Sequence, residues 1–543
     1  MSAQDNATVT TSQGVTTSQG VMTSQGVMTP RRLWLILCAL MLTMLLAALD
    51  QTIVATALPT ITSDLGGLNE LSWVVTAYLL ASTASTPIWG KLSDLYGRKL
   101  MLQSAVVIFV LGSILAGLSQ NMGQLITTRS IQGLGAGGLM VLILAVIADI
   151  VPPRDRGKYG GLFGGVFGIA SVVGPLLGGL FTQHLSWRWV FYVNVPLGIA
   201  AFVILGAVLH IPAHKKQHKI DWLGAGLLVA AVVTLLLVAV WGGQRYPWGS
   251  STIIGLAIGS LITAALFIWQ ELRHPEPIVP LSMFRLPVMR IASAIGFVVG
   301  FAMFGAIVYL PLYLQVVRGA TPTVAGLQLL PLMVGLLSTS VLSGRLISRT
   351  GRYKVFPIIG TALAGIGVSM LSLVTATTGY WYIALAAFIL GSGLGNVMQV
   401  LIIAVQNNID PRQMGAATSA STFFRSIGAS FGTAVMGAVF TAALAQEITD
   451  AVPPDLAAQF NGAANQITSS VGQIDSLPPT IHDSVLTAMA NAIGDTFLFA
   501  VPIIVIAFVL AWFLKEVPLR KGHGPTLTEE LAEDAAVPMP SFE

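Results

Sequence analysis

Three charged residues stand deep inside long apolar runs of this chain: Asp50, Arg129 and Arg425. A charge in hydrocarbon costs about 2.5–3.5 kcal/mol on insertion scales, so each is a functional candidate by position alone. Asp50 is the only acid so placed. A carboxyl there can carry a proton. Desolvation favours the neutral form of such a group and a neighbouring cation favours the charged form, so it changes protonation when its neighbour moves. Asp50 lies 17 residues beyond Leu33, about 26 Å along a helix. Arg129 lies 20 residues before Asp149, about 30 Å along another. Both reach the outer third of the membrane, and a pair between them is expected. Its roles are proton coupling or, alternatively, a static ion pair that fixes helix packing. Arg425, within Phe424-Arg425-Ser426-Ile427-Gly428, has no acid on its own helix. A cavity, an anionic headgroup or backbone carbonyls near glycines would each suit it, and the sequence does not choose among them.

A second concentration of charge lies between two apolar runs, at Gly90-Lys91-Leu92-Ser93-Asp94-Leu95-Tyr96-Gly97-Arg98-Lys99. Its pattern is G-x-L-x-D-x-x-G-R-K. A degenerate copy, Gly344-Arg345-Leu346-Ile347-Ser348-Arg349-Thr350-Gly351-Arg352, follows 254 residues later. Two copies at matching places imply an internally duplicated chain. No metal-ligand cluster, Walker-type phosphate loop or H-E-x-x-H occurs. An ATP-driven pump or membrane protease is therefore not expected, and no metal or cofactor is assigned.

The elements that position these residues follow from composition. The chain of 543 residues is 54% hydrophobic and only 9% charged, against roughly 25% charged in soluble domains. Many apolar runs reach the ~20 residues needed to cross a bilayer. The fold class expected is an all-α polytopic membrane protein. Spans are expected near 33–58, 71–90, 100–119, 124–149, 160–182, 190–211, 221–241, 252–272, 291–315, 323–343, 355–376, 380–405, 413–441 and 495–514, about fourteen in all. An even count puts both termini on one side. Of the 27 Lys and Arg, 22 fall in the tails and loops on that side, and only Arg188, Arg245 and Arg318 on the other. The side of the termini is then cytoplasmic. The net charge of +4 reflects this bias and implies no nucleic-acid partner. Residues 1–30 contain Thr-Ser-Gln-Gly-Val three times, from Thr11, Thr17 and Thr23, and read as a disordered cytoplasmic tail. Arg31-Arg32 opens a retained first helix rather than a signal peptide. The stretch 442–494 lacks Lys and Arg and reads as an external loop, and 516–543 as a second cytoplasmic tail. The single cysteine, Cys38, allows no disulfide within one chain and reads as a buried structural thiol.

The Gly90–Lys99 pattern resembles the signature loop between helices 2 and 3 of the major facilitator superfamily of secondary transporters. Four further segments resemble the fourteen-helix drug:proton antiporter (EmrB/QacA-like) branch. They are Leu49-Asp50-Gln51-Thr52-Ile53-Val54 with Ala57-Leu58-Pro59, Arg129-Ser130-Ile131-Gln132-Gly133-Leu134-Gly135, Gly174-Pro175-Leu176-Leu177-Gly178-Gly179, and Trp187-Arg188-Trp189-Val190-Phe191 with Asn194-Val195-Pro196-Leu197-Gly198. They occur in order through the N-terminal half. The C-terminal half matches more loosely, as at Pro311-Leu312-Tyr313-Leu314-Gln315.

The resemblance implies a six-helix bundle at 31–211, a two-helix insertion at 212–274 and a second six-helix bundle at 275–515, working by alternating access. It marks Gly174, Pro175, Gly178 and Gly179 as the antiporter motif, expected to bend or flatten its helix where it meets the other bundle. Gly90, Asp94, Gly97, Arg98, Lys99 and Asp149 form the expected gating loop and lock. Asp94 should face the positive N-terminal end of span 413–441 near Arg412-Gln413, and Arg98 should reach Asp149. Ser348 replaces the acid in the second copy, so the lock should be asymmetric. Tyr78, Tyr309 and Tyr313, with Trp73 and Phe304, are candidate substrate contacts, equally suited to packing or to the membrane interface. The expected function is proton-coupled efflux of amphipathic or hydrophobic small molecules across a bacterial cytoplasmic (inner) membrane. Its partners would be protons, the substrate and the lipid bilayer, and the chain would act as a monomer. The alternatives are export of one defined metabolite or lipid, a proton-coupled uptake symporter, and a non-transport membrane protein.

Overall fold

The computed structural model describes residues 21–23, 26–28, 30–65, 71–209, 221–243, 245–410, 413–451, 479–517 and 519. Its helices are α1 (Pro30–Leu65), α2 (Leu71–Tyr96), α3 (Arg98–Gly117), α4 (Met122–Ile150), α5 (Pro153–His184), the short α6 (Trp189–Tyr192) running into α7 (Asn194–Val208), α8 (Trp222–Trp241), α9 (Ser251–Arg273), α10 (Pro287–Leu312), α11 (Pro322–Gln328), α12 (Leu330–Thr350), α13 (Val355–Leu371), α14 (Tyr380–Asn407), α15 (Met414–Ala451) and α16 (Pro479–Trp512). A helical stretch stands at each of the fourteen expected segments. Among the described residues, eleven are long and apolar enough to cross a membrane. The helices α2 and α5 are not among the eleven, and α13 is too short.

The duplication is visible in how the helices pair. In the first half α2 packs on α4, α3 on α4, and α1 on α5. In the second half α12 packs on α14, α13 on α14, and α10 on α15. The contacts between halves are reciprocal: α2 lies against α15 and α5 against α12. The insertion helices α8 and α9 pack on each other, and α8 also touches α2 and α15, so it covers that seam. The two charged loops show the same correspondence. Gly97 ends α2 at φ 92°, and Gly351, 254 positions later, caps α12 at φ 73°. Both lie in left-handed backbone that a side chain disfavours.

Small residues let the helices approach, as expected where no hydrophobic effect drives association within lipid. A Cβ added at Gly135 of α4 would lie 2.5 Å from the backbone N of Phe109 in α3, and one at Gly133 would lie 2.4 Å from the carbonyl O of Tyr78 in α2. Polar side chains cap several ends. Asn121 accepts from the N–H of Gln124 before α4, and Asp221 from that of Gly224 before α8.

Three expectations need correction or extension. Cys38 is exposed on α1 rather than buried, because Leu37, Ala39 and Leu40 take the packed face of that turn. In the tail expected to be disordered, Val21–Thr23 and Gly26–Met28 pair as a short antiparallel ribbon; the Val and Thr of the repeat suit strand pairing. Residues 1–20 lie outside the described residues, as do most of 442–494 and of the C-terminal tail. The described ends of 442–494 are helical, continuing α15 to Ala451 and beginning α16 at Pro479.

Packing at α3–α4 tolerates no side chain, whereas Gly259 of α9 meets nothing within 4 Å. Gly135→Val is expected to lower stability by about 1–3 kcal/mol, seen as a reduced midpoint in thermal unfolding of detergent-solubilised protein. Gly259→Val should leave the midpoint unchanged. Equal behaviour of the two variants would contradict the close α3–α4 approach.

Candidate functional site

Asp50 of α1 and Arg129 of α4 meet, with Arg129 NH1 2.7 Å from Asp50 Oδ2. Neither reaches solvent: Asp50 is 0% and Arg129 1% exposed. Two amides complete the carboxylate. Gln132 Nε2 and Asn194 Nδ2 each donate to Asp50 Oδ1 at 2.8 Å. Arg129 NH1 also donates to Gln132 Oε1 at 2.7 Å, and its guanidinium lies over the Tyr78 ring, 4.2 Å from the centroid. Asn194, the first residue of α7, also donates to Ser113 Oγ of α3 at 3.0 Å, and Ser113 donates to the Phe191 carbonyl of α6 at 2.9 Å. One carboxylate therefore ties together α1, α3, α4, α6 and α7. A buried charge is tolerated only with such pairing and hydrogen bonding.

The next residues of α1 seat α5. Thr52 Oγ1 donates to the Ala170 carbonyl of α5 at 2.9 Å. A Cβ at Gly174 would lie 2.0 Å from Thr52 Oγ1, and one at Gly178 would lie 3.0 Å from the Ile53 carbonyl O. Gly174 and Gly178 therefore face α1 within their own bundle, beside Asp50. Pro175 lies inside an uninterrupted α5, and Gly179 meets nothing within 4 Å. Nearer the start of α5, Gly168 faces Leu337 and Met333 of α12 in the other bundle. The motif thus shapes the α1–α5 contact, while residues nearer the start of α5 meet the second half.

At the basic end of the helices a second cluster joins the halves. Asp94, at the end of α2, accepts from the backbone N–H groups of Gly415 and Ala416 at 3.0 and 2.9 Å. These are unpaired donors at the N-terminus of α15, where a negative charge is favoured. Arg98 NH1 lies 2.6 Å from Asp94 Oδ1, and Arg98 Nε lies 2.7 Å from Asp149 Oδ2 at the end of α4. Arg98 also donates to Ser93, and Lys99 Nζ donates to the Gly206 carbonyl at 2.6 Å. Gly90 faces Gly415 and Ser419 so closely that a Cβ there would overlap both. The expected partner of Asp94 near Arg412-Gln413 lies two to three residues further on, because α15 begins at Met414; Arg412 is outside the described residues. A further bridge had no warning in the sequence. Arg156 of α5 donates to Gln406 Oε1 of α14 at 3.2 Å and to the carbonyls of Val151 and Ala148, and Gln406 donates to Thr418 of α15 at 3.0 Å.

The remaining candidates are dispersed. Tyr78 belongs to the Asp50 cluster. Tyr309 packs on Phe440 with ring centroids 5.3 Å apart, and the Tyr313 hydroxyl donates to the Thr375 carbonyl at 2.6 Å. All three tyrosines are buried. Arg425 is half-buried in the middle of α15. Gln132, Asn194 and Ser113 were not picked out for a role. The first two stand in quoted motif segments, and an amide inside an apolar run was the available signal.

The family model described as Major Facilitator Superfamily matches residues 40–433. The chain is 41% identical over 510 residues to an uncharacterised MFS-type transporter of Mycobacterium tuberculosis (strain ATCC 25618 / H37Rv), covering 94% of this chain and 73% of that protein. It is 34% identical over 531 residues to the multidrug transporter protein MdtP of Bacillus subtilis (strain 168), covering 93% and 97%. In fold it is similar to the crystal structure of the human organic anion transporter MFSD10, with a TM-score of 0.61 at 14% identity over 89% of this chain and 100% of that one. Motifs, paired halves and relatives agree: this multi-pass membrane protein is a transporter, not an enzyme, and the chain belongs to the major facilitator superfamily.

Proposed function

We propose that the protein exports amphipathic or hydrophobic small molecules in exchange for protons, by alternating access, from the cytoplasm of a bacterium. The observation that carries this reading is the wholly buried Asp50–Arg129 pair on the helix that seats α5. Efflux is further supported by the name of the Bacillus subtilis relative, a multidrug transporter. In this reading fourteen helices cross the inner membrane, both termini are cytoplasmic, and the chain works as a monomer.

The coupling step follows from the bonds. A proton arriving on an Asp50 oxygen neutralises the carboxylate that holds Arg129 NH1. The Arg129 guanidinium keeps its place over Tyr78 but loses its counterion. The Gln132 and Asn194 amides lose a charged acceptor, and charge-assisted hydrogen bonds are the stronger kind. The contacts of α1 with α4 and α7 weaken together. Because Thr52 and Ile53 hold Gly174 and Gly178, a shift of α1 is passed to α5 and through it to the α5–α12 seam. At the cytoplasmic side, Asp94 on the α15 N-terminus and Arg156 on Gln406 hold the halves together. This lock must open for the inward-facing state.

Three outcomes are expected. Asp50→Asn should abolish proton-driven export in proteoliposomes while the protein still folds; export at the wild-type rate under the same gradient would remove Asp50 from coupling. Arg129→Met strands a buried carboxylate and should cost about 3–5 kcal/mol of stability. Adding Asp50→Asn in that background should recover most of the loss in thermal unfolding. Additive losses would show that the two residues do not act as a pair. Asp94→Asn weakens a charge–helix-terminus interaction worth about 0.3–2 kcal/mol, which alters a two-state ratio roughly two- to thirtyfold. Spin labels on the cytoplasmic ends of α2 and α15 should report a longer mean distance in this variant. An unchanged distribution with normal turnover would reduce the loop to a charged connector.

A further inference from the structure

Two charges well inside the described spans take no part in that mechanism, the exposed Asp495 of α16 and Arg425. Arg425 lies 11 positions beyond Met414, the first residue of α15, about 16 Å along the helix and near the middle of a hydrocarbon layer ~30 Å thick. It is half-buried. Among the described residues no hydrogen bond or charged group reaches its guanidinium. Arg129, by contrast, is 1% exposed and has a carboxylate, an amide and a tyrosine ring. An intramembrane guanidinium with five donors and no acceptor calls for an anion during at least part of the working cycle. Its depth disfavours a lipid headgroup, which lies at the membrane surface.

The surroundings match one kind of ligand. Gly415 and Ser419 of α15 face Gly90 across the seam between the halves. Ser426, Ser430 and Thr433 follow on the same helical face by the 3.6-residue period. Ser426 and Ser430 are half-buried and Thr433 is exposed, so a polar stripe continues along α15 from the closed seam. Arg425 borders that stripe. On its other side Gly296 and Gly300 bring α10 against its backbone; a Cβ at Gly300 would overlap the Arg425 carbonyl. Two aromatic pairs involve neighbouring residues of α15, Phe424 with Phe284 and Phe431 with Phe297. A fixed positive charge with hydroxyls alongside and phenylalanines on neighbouring turns suits a molecule with an anionic head and an apolar aromatic body.

We infer that Arg425, with the hydroxyl stripe of α15, forms the substrate subsite of the C-terminal bundle and that the preferred cargo is an amphipathic organic anion. The inference rests on the export reading, narrowing its substrate class. It divides the labour between the halves: the first carries the proton on Asp50, the second holds the cargo on Arg425. The two cargo sources of such an anion, a lipid phosphate and a free organic anion, share the chemistry and are separated below.

The probes are 1-anilinonaphthalene-8-sulfonate and N-phenyl-1-naphthylamine, fluorescent molecules with the same aromatic skeleton that differ by the sulfonate. Their equilibrium binding is measured to the full chain in nanodiscs of phosphatidylcholine, corrected for empty discs. Wild type should bind the sulfonate at least roughly tenfold more tightly than the neutral dye, the size of one charge-assisted contact. Arg425→Gln should lose that preference, and Arg425→Lys, which keeps the charge, should retain part of it. A wild-type ratio near one overturns the proposal, whether or not any variant folds, and so does a preference undiminished in folded Arg425→Gln. Adding phosphatidylglycerol to the discs should leave sulfonate affinity within a fewfold. A tenfold loss on that addition, absent in Arg425→Gln, would assign the guanidinium to lipid and overturn the cargo role. Gradient-driven movement of the neutral dye in proteoliposomes is scored separately. Its absence in wild type would count against export itself, while the binding ratio still decides the subsite.

Discussion

A carboxylate and a guanidinium 2.7 Å apart, both sealed from solvent, set the terms for the first half of this transporter. Neither residue can be buried alone at tolerable cost. The pair therefore fixes the register of α1 against α4, and the amides of Gln132 and Asn194 extend the demand to α7. Close packing around it depends on glycine: Gly133 and Gly135 let α4 lie against α2 and α3, and Gly174 and Gly178 let α5 lie against the turn of α1 that follows Asp50. A change of charge at one oxygen is thus felt by most of the bundle.

The two halves use charge differently although their helices pair alike. The first half has the paired Asp50 and Arg129, and its charged loop carries Asp94, which caps α15 across the seam. In the second copy of that loop Ser348 stands in place of the acid. The two charged loops thus correspond in position and differ in chemistry. Another bridge between the halves runs from Arg156 on α5 to Gln406 on α14. Two carbonyls of the first half and one amide oxygen of the second hold Arg156, so part of that residue's hydrogen bonding survives when the halves separate.

What could be read from the sequence was what carries a large energetic cost. A lone Asp or Arg in an apolar run stands out because charge in hydrocarbon is expensive, and Asp50 and Arg129 were found and paired on that ground. The Asp94, Arg98 and Asp149 cluster was legible for the same reason, together with the glycine that needs positive φ. Neutral amides and hydroxyls cost less to bury and look ordinary, so Gln132, Asn194 and Ser113 gave little sign of their role. Arg156 was hidden by its neighbours: among many basic residues at that end, nothing marked it as the one that crosses to the second half. The orientation of Gly174 and Gly178 toward α1 was also not legible, since spacing shows which face of a helix is small but not which neighbour receives it. Helix ends were off by several residues where polar positions continue the helix, as at Asp94 beyond span 71–90 and at the far end of α15.

The central claim is that Asp50 takes up and releases a proton during transport. Infrared difference spectroscopy on the reconstituted protein, recorded between the substrate-free and substrate-bound states in light and heavy water, reads buried carboxyl protonation directly. The account predicts a carbonyl-stretch band of a protonated carboxyl that changes between the two states, shifts in heavy water and is missing in Asp50→Asn. A spectrum with no such band in wild type, or with the same band in Asp50→Asn, would contradict it.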